Sequence, residues 1–259
     1  MLFYKEYVLS PQKDWVVFIH GAGGSSSIWY KQLREFKKHF NLLLVDLRGH
    51  GKSKSFLQEY MQNKYTFKAI AQDVIEVLDH VGIQQAHFVS ISLGSIIVRT
   101  IGEIQPHRIK SMILGGAIIR LNIRSNILMR LGNWVKQFVP YMWIYKFFAW
   151  VIMPRKRHKK SRLMFINEAK KLYQKEFLRW YHLTSEVNPL LRYFNEKELP
   201  IPALYIMGDE DYMFLPQVKH LVKKHKYAQL IILPDCGHVV NIDQAELFNQ
   251  KAIEFLQQH

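Results

Sequence analysis

The sequence predicts an α/β fold: a mostly parallel sheet flanked by helices, with an all-helical segment inserted into it. Three observations carry that expectation. Short apolar, β-rich runs alternate with stretches of helical spacing over residues 1–118, and the alternation resumes over 198–259. The intervening 119–197 contains no clear strand-like run. Polar or glycine-rich turns follow several of the strand-like runs, at the places where open α/β sheets carry their sites. The expected organisation is a core of 1–118 and 198–259, with a helical lid of 119–197.

The elements follow in order. "WVVFIH" (15–20) has the unbroken apolar character of a strand buried on both faces. It runs into Gly21-Ala22-Gly23-Gly24, after which Ser25–Ser27 offer N-caps for a helix reaching about His39. "NLLLVD" (41–46) is the next strand, and "LRGHGKSKS" the polar turn after it. Phe67, Ile70, Val74, Val77 and Val81 form one helical stripe over 66–81, and Gly82 stops it. "AHFVSI" (86–91) is a strand, 93–105 a helix and "IKSMILGG" (109–116) a strand. In the inserted segment, Leu128, Leu131, Val135, Phe138 and Met142 fall at helical spacing until Pro140 breaks or kinks the helix. "YMWIYKFFAW" and the basic "PRKRHKKSR" (154–162) follow, then further helices to about Tyr193. "IPALYIMG" (201–208) and "YAQLIILP" (227–234) are strands, and a helix over 244–257 closes the chain.

Composition narrows the function classes. Hydrophobic residues make up 49% of 259, enough for a packed core and too many for a disordered chain. The N-terminal stretch lacks the basic, apolar and small-residue regions of a secretory signal. Cys236 is the single cysteine, so no internal disulfide forms and a reducing compartment is compatible. Cytoplasmic location is the expectation, with the inner face of the membrane as a candidate surface. The longest mostly apolar stretch, 138–153, is interrupted by Pro140 and Lys146 and is too short to span a bilayer. The formal charge of +15 is concentrated: 119–200 holds 17 of the 36 Lys/Arg and only 5 of the 21 Asp/Glu. Such a segment is either a solvated basic surface or one that meets an anionic lipid, an acidic carrier protein or an anionic substrate. No nucleic-acid-binding motif accompanies the charge, so nucleic acid is not an expected partner.

"SISLG" (90–94) places Ser92 one residue beyond a strand and just before a helix. A serine there sits in a strained turn with its hydroxyl over the sheet edge; the familiar form is G-x-S-x-G. Ser90 stands where the first glycine is usual, which puts the turn's geometry in question, and a helix N-cap serine is the competing reading. A serine hydroxyl needs a base, a group to orient that base, and donors for the oxyanion that forms. The glycine-rich turn at 21–24 follows another strand and is placed to supply backbone donors; Ala22 and Leu93 are the expected ones. A phosphate loop is the competing reading there, but no Gly-Lys-Ser/Thr ends it. Asp209 and Asp211 in "MGDEDYMF" (207–214) lie just past a strand, and His238 in "DCGHVVNID" (235–243) past another. The chain order serine, acid, histidine is one of the known triad orders.

"HGAGGSS" (20–26), "DLRGHGKS" (46–53), "SISLG" (90–94) and "GDED…CGH" (208–238), taken together in this order, resemble the α/β-hydrolase superfamily. The resemblance implies that fold, with a helical cap inserted after its sixth strand. It implies Ser92 as nucleophile, His238 as base and Ala22 and Leu93 as oxyanion donors. The family's acid lies three residues after the glycine that ends a strand, which from Gly208 gives Asp211, with Asp209 the alternative. "DLRGHGKS" matches a scaffolding turn. No metal site and no cofactor are implied. A serine at the elbow sets the chain apart from relatives that use aspartate there, the haloalkane dehalogenases and epoxide hydrolases. The implied activity is esterase- or lipase-like hydrolysis of a carboxylic ester or thioester through an acyl-enzyme. Menaquinone-pathway-synthase-like or C–C bond hydrolase chemistry on the same triad, or a non-catalytic ligand-binding relative, are the alternatives.

The inserted segment is expected to set the substrate. Trp134, Phe138, Trp143 and Phe147, with Phe148 and Trp150, are candidates for an apolar acyl pocket. Packing of the inserted helices onto the core is the competing role for each. A basic rim around a greasy entrance, with Arg155, Lys156, Arg157, Lys159 and Lys160 in it, suits a lipid-like ester at an anionic membrane surface. An acyl group on an acidic carrier protein would suit it equally.

Overall fold

A computed structural model of the chain describes residues 1–53, 65–121, 139–185 and 187–259. Its sheet has the strands β1 (Tyr4–Tyr7), β2 (Trp15–Ile19), β3 (Asn41–Val45), β4 (Ala86–Ile91), β5 (Ile109–Gly115), β6 (Ala203–Gly208) and β7 (Ala228–Leu233). The spatial order is β1-β3-β2-β4-β5-β6-β7. Every pairing is parallel except β1 with β3, where Tyr4 faces Val45. In the described sheet the helical segment lies between the adjacent strands β5 and β6.

The apolar runs become strands because both faces of the sheet are covered. Alternation along β2 sends Val17 and Ile19 to one face and Val16 and Phe18 to the other. Helices α2 (Phe67–Val81) and α3 (Gly94–Ile104) cover the first face, packing Ile70, Val74, Ile97 and Ile101 against it. Helices α1 (Tyr30–Phe36) and α10 (Ala245–Gln257) cover the second, with Trp29, Phe36 and Phe248 fully buried. The predicted stripe of α2 is buried at Phe67, Ile70, Val74 and Val77, and half-buried at Val81. Thr66 caps that helix, accepting from the Ala69 amide at 3.1 Å, and Gly82 ends it at φ 80°. Helix α1 ends at Phe36, short of the expected His39.

Among the described residues, four α-helices lie between β5 and β6: α4 (Tyr141–Ile152), α5 (Lys159–Ala169), α6 (Gln174–Ser185) and α7 (Asn188–Glu196). Ile144, Tyr145, Ala169, Phe177 and Tyr181 make a small core of their own among α4, α5 and α6. The segment is pinned to the 46–53 turn. Trp180 Nε1 donates to the Arg48 carbonyl at 3.1 Å, and the buried Glu176 accepts from the Tyr65 hydroxyl at 2.6 Å. Helices α8 (Leu215–Val222) and α9 (Val240–Asp243) complete the chain. No helix among the described residues is long and apolar enough to cross a membrane.

One buried side chain of the sheet makes stability pH-dependent. His87 on β4 is fully buried, within 2.8 Å of Ser111 Oγ on β5, and burial pushes its pKa down to about 4. The unfolded chain takes up that proton near pH 6.5, so between pH 6.5 and 4 only the unfolded state is protonated there. Stability therefore falls as the pH drops through this window, by about 2–3 kcal/mol from this group. Urea unfolding at a series of pH values should show the loss, and His87→Gln should shallow it. An unchanged slope in the variant would assign the loss to other groups.

Candidate active site

The sheet brings the three chain-distant side chains to one place, at the carboxyl ends of β4, β6 and β7. His238 Nδ1 lies 2.7 Å from Asp211 Oδ2, and Nε2 lies 2.8 Å from Ser92 Oγ. A carboxylate only accepts, so Nδ1 carries hydrogen and Nε2 is left to accept from the serine hydroxyl. Asp211 is fully buried, and its other oxygen accepts the Phe214 amide at 3.1 Å. Asp209, the alternative acid, points elsewhere: it accepts the Cys236 amide at 3.1 Å. The geometry thus favours Asp211 as the partner of the histidine.

Ser92 adopts φ 54°, a conformation that costs a non-glycine residue about 1–3 kcal/mol and persists only when its surroundings impose it. They do so here. Its amide donates to the Gly115 carbonyl at 2.8 Å, and its own carbonyl accepts from the Ser95 amide and hydroxyl at 3.0 and 2.6 Å. Helix α3 starts so close to β2 that a Cβ on Gly94 would lie 2.6 Å from the Ile19 carbonyl oxygen. Ser90 does not spoil this elbow. Its side chain is fully buried, and its hydroxyl donates to the Ile113 carbonyl on β5 at 3.2 Å, so the extra atoms have both space and a partner.

The glycine-rich turn is held by the residues of the "DLRGHGKS" block. His50 Nε2 accepts the Gly23 amide at 2.9 Å, and the Asp46 carboxylate accepts the Ser26 and Lys52 amides at 2.6 and 2.8 Å. His20 accepts the Leu47 amide through Nε2 at 2.9 Å, and burial lowers its pKa, which keeps it neutral. Tyr145 on α4 reaches down to the same turn and donates to the Ala22 carbonyl at 3.1 Å. Ala22 and Leu93 line one cleft together with Ser92.

That cleft, about 1010 Å³ including its open mouth, runs from Ser92 up between the core and the inserted helices. Ile96, Tyr145, Phe148, Phe177, Trp180 and Phe214 supply much of its wall, and no described lining residue is charged. The expected pocket aromatics fare differently. Trp134 and Phe138 lie outside the described residues. Trp143 and Phe147 are on the opposite side of α4 from the cleft, 69% and 46% exposed. The reason is helical phase: Tyr145, Phe148 and Ile152 turn inward, which sends Trp143, Lys146, Phe147 and Trp150 outward. Because α4 is aromatic on all sides, its composition conceals which side faces the core. His50, Tyr145, Glu176 and Trp180 escape sequence reading, since their partners are far away in the chain.

The basic run after α4 is partly spent on the core. Glu210, next to Asp211 and almost buried, accepts from Arg155, and His158 Nε2 lies 2.7 Å from its second oxygen. Arg157 pairs with Asp235. Lys156, Lys159 and Lys160 stay exposed.

Comparison with known proteins agrees with this architecture. RutD of Stutzerimonas stutzeri, a protein whose name assigns it to carbamate hydrolysis, is 25% identical, over 96% of this chain and 93% of its own. The crystal structure of an enol-lactonase from Burkholderia xenovorans superposes with a TM-score of 0.79 at 22% identity, covering 99% of this chain and 96% of that one. A thermophilic esterase from Thermogutta terrifontis superposes with a TM-score of 0.80 at 18% identity, over 99% and 93%. These two likenesses concern the fold. The profile of the α/β-hydrolase fold matches residues 14–245, nearly the whole described sheet with its insertion. The chain belongs to the α/β-hydrolase family.

Proposed function

We propose that this chain is a serine hydrolase that cleaves an uncharged carboxylic ester or thioester with an apolar acyl group, the inserted helices acting as its cap. The observation that carries the reading is the Ser92–His238–Asp211 hydrogen-bonded chain opening onto a cleft with no charged residue in its described lining. In the first half-reaction His238 Nε2 takes the hydroxyl proton as Ser92 Oγ attacks the acyl carbon, and then gives it to the departing alcohol or thiol. In the second, His238 takes a proton from water, which attacks the acyl-enzyme, and then gives that proton to Ser92 Oγ as the bond to the acyl carbon breaks and the acid leaves. Asp211 holds the imidazole in the right tautomer and stabilises its charged form. The Ala22 and Leu93 amides are the oxyanion donors.

The reactions named for the relatives, hydrolysis of a carbamate and of an enol-lactone, also break a bond to a carbonyl carbon. A small dicarboxylate, as the synthase-like alternative would need, has no described cation to meet in the cleft. Acyl burial supplies about 0.8 kcal/mol per methylene. Across 4-nitrophenyl esters of rising acyl length, kcat/KM should therefore climb roughly fourfold per added methylene until the cleft is full. A terminal carboxylate on the acyl chain should reverse the gain. A flat or falling series, or a preference for the carboxylate-bearing chain, would overturn the apolar reading.

A further inference from the structure

The outer side of α4 is the least expected surface of the molecule. Trp143, Phe147 and Trp150 stand 69%, 46% and 57% exposed, at i, i+4 and i+7 on one helix face. Large aromatics in a contiguous exposed row mark a surface that meets something other than water. The inner side of the same helix walls the cleft through Tyr145, Phe148 and Ile152. A helix apolar on both sides is thus covered on only one of them.

Charge indicates what covers the other. Lys146 completes the outer face, its Nζ 6.0 Å from the centre of the Trp143 ring. Lys156, Lys159 and Lys160 follow in the turn and first residues of α5, all exposed, and α5 packs against α4. The acids of α5 and α6 do not offset them: Glu176 is buried against Tyr65 and Arg179, and Glu168 is tied to Ser25 and Lys171. Arg155 and Arg157 are already paired with Glu210 and Asp235, which leaves the lysines as the outward charge. Tryptophan and phenylalanine beside lysine are the residues of an interfacial helix: rings settle at the headgroup level while ammonium groups meet anionic lipid.

We propose that α4 docks this protein on an anionic lipid surface, with Trp143, Phe147 and Trp150 inserted at the headgroups and Lys146, Lys156, Lys159 and Lys160 around them. An acidic protein would be met by the lysines but would leave the three rings without a stated seat; a lipid interface takes both. The same helix would then stand between the lipid and the cleft, which places an apolar chain close to where it is soluble. The docking surface is independent of the hydrolase reading, because binding is measured without turnover.

The test is co-sedimentation of the full chain with vesicles of phosphatidylcholine alone, and of phosphatidylcholine with about a third phosphatidylglycerol. Binding should appear on the anionic vesicles, weaken with salt, and fall roughly tenfold or more in Trp143→Ser/Phe147→Ser/Trp150→Ser. These residues are solvent-exposed, so the variant should keep the wild-type melting temperature and its rate on a short soluble ester without vesicles. Absence of wild-type binding would overturn the proposal. So would equal binding to both vesicles, or undiminished binding of the triple variant, which would leave charge alone as the cause. A wild-type dimer by sedimentation velocity that becomes monomeric in the variant, without vesicle binding, would assign the face to a second copy instead.

Discussion

Ser92→Ala is expected to lower kcat on a nitrophenyl ester by at least about 10⁴-fold, with the fold intact. The substitution removes one oxygen and no packing atom. Cβ stays, the φ 54° turn is imposed by hydrogen bonds that involve only the Ser92 main chain, its amide donating to Gly115 and its carbonyl accepting from Ser95, and Gly94 is untouched. What disappears is the group 2.8 Å from His238 Nε2. Residual activity, from the oxyanion donors and binding alone, should be insensitive to a further change at His238, because the triad acts as a unit. Asp211→Asn is the companion: it keeps the shape but presents an amide to Nδ1, and a loss on the order of 10⁴-fold is expected from the wrong tautomer. Steady-state rates together with thermal melts decide. Wild-type turnover by a folded Ser92→Ala would remove Ser92 from the chemistry altogether.

The second large effect concerns stability. Gly94→Ala should lower the melting temperature by roughly 5–10 °C, because its Cβ would meet the Ile19 and His20 carbonyl oxygens at 2.6 and 2.8 Å. These are backbone atoms of the strand that leads into the glycine-rich turn, so the clash cannot be relieved by a rotamer change. Gly102, in the last turn of the same helix, is the control. A Cβ there meets the end of the Leu199 side chain at 2.7 Å, which can swing aside, and alanine is the better helix former by up to about 1 kcal/mol. Gly102→Ala is expected to melt at or above the wild type. If the two variants melt alike, close approach at Gly94 is not what demands glycine there.

The legible parts of this molecule were those in which local and global preferences agree. The stripe over 66–81, capped by Thr66 and stopped by Gly82, reads the same in the chain and in space. Ser92 and Gly94 stand out because a strand-to-helix turn tolerates so few residues there. Strand β1 is not legible in the sequence, for the opposite reason. "YKEY" carries two charges and its central residues are exposed, as an edge strand's can be, so no apolar run announces it. The inward side of α4 is not legible because aromatic residues occur all round the helix, and Trp143 and Phe147, expected in the pocket, face away from it. Asp211 and Asp209 are two residues apart after the same strand, and only the 2.7 Å contact with His238 separates them. Likewise the basic run at 155–158 reads as free charge until Glu210 and Asp235 are found opposite it.

Tyr145 does two things at once. Its ring forms part of the cleft wall, and its hydroxyl holds the Ala22 carbonyl at 3.1 Å. On the proposed function, substrate preference and turnover are therefore not separately inheritable traits at this position. On that same reading, a mutation that reshapes the cleft through Tyr145 also loosens the peptide that lines the cleft beside Ser92, and selection for a new acyl group by that route would meet a slower enzyme first. Descendants of this chain that change diet should do so through Phe148, Phe165 or Phe177, which line the same space without gripping the turn.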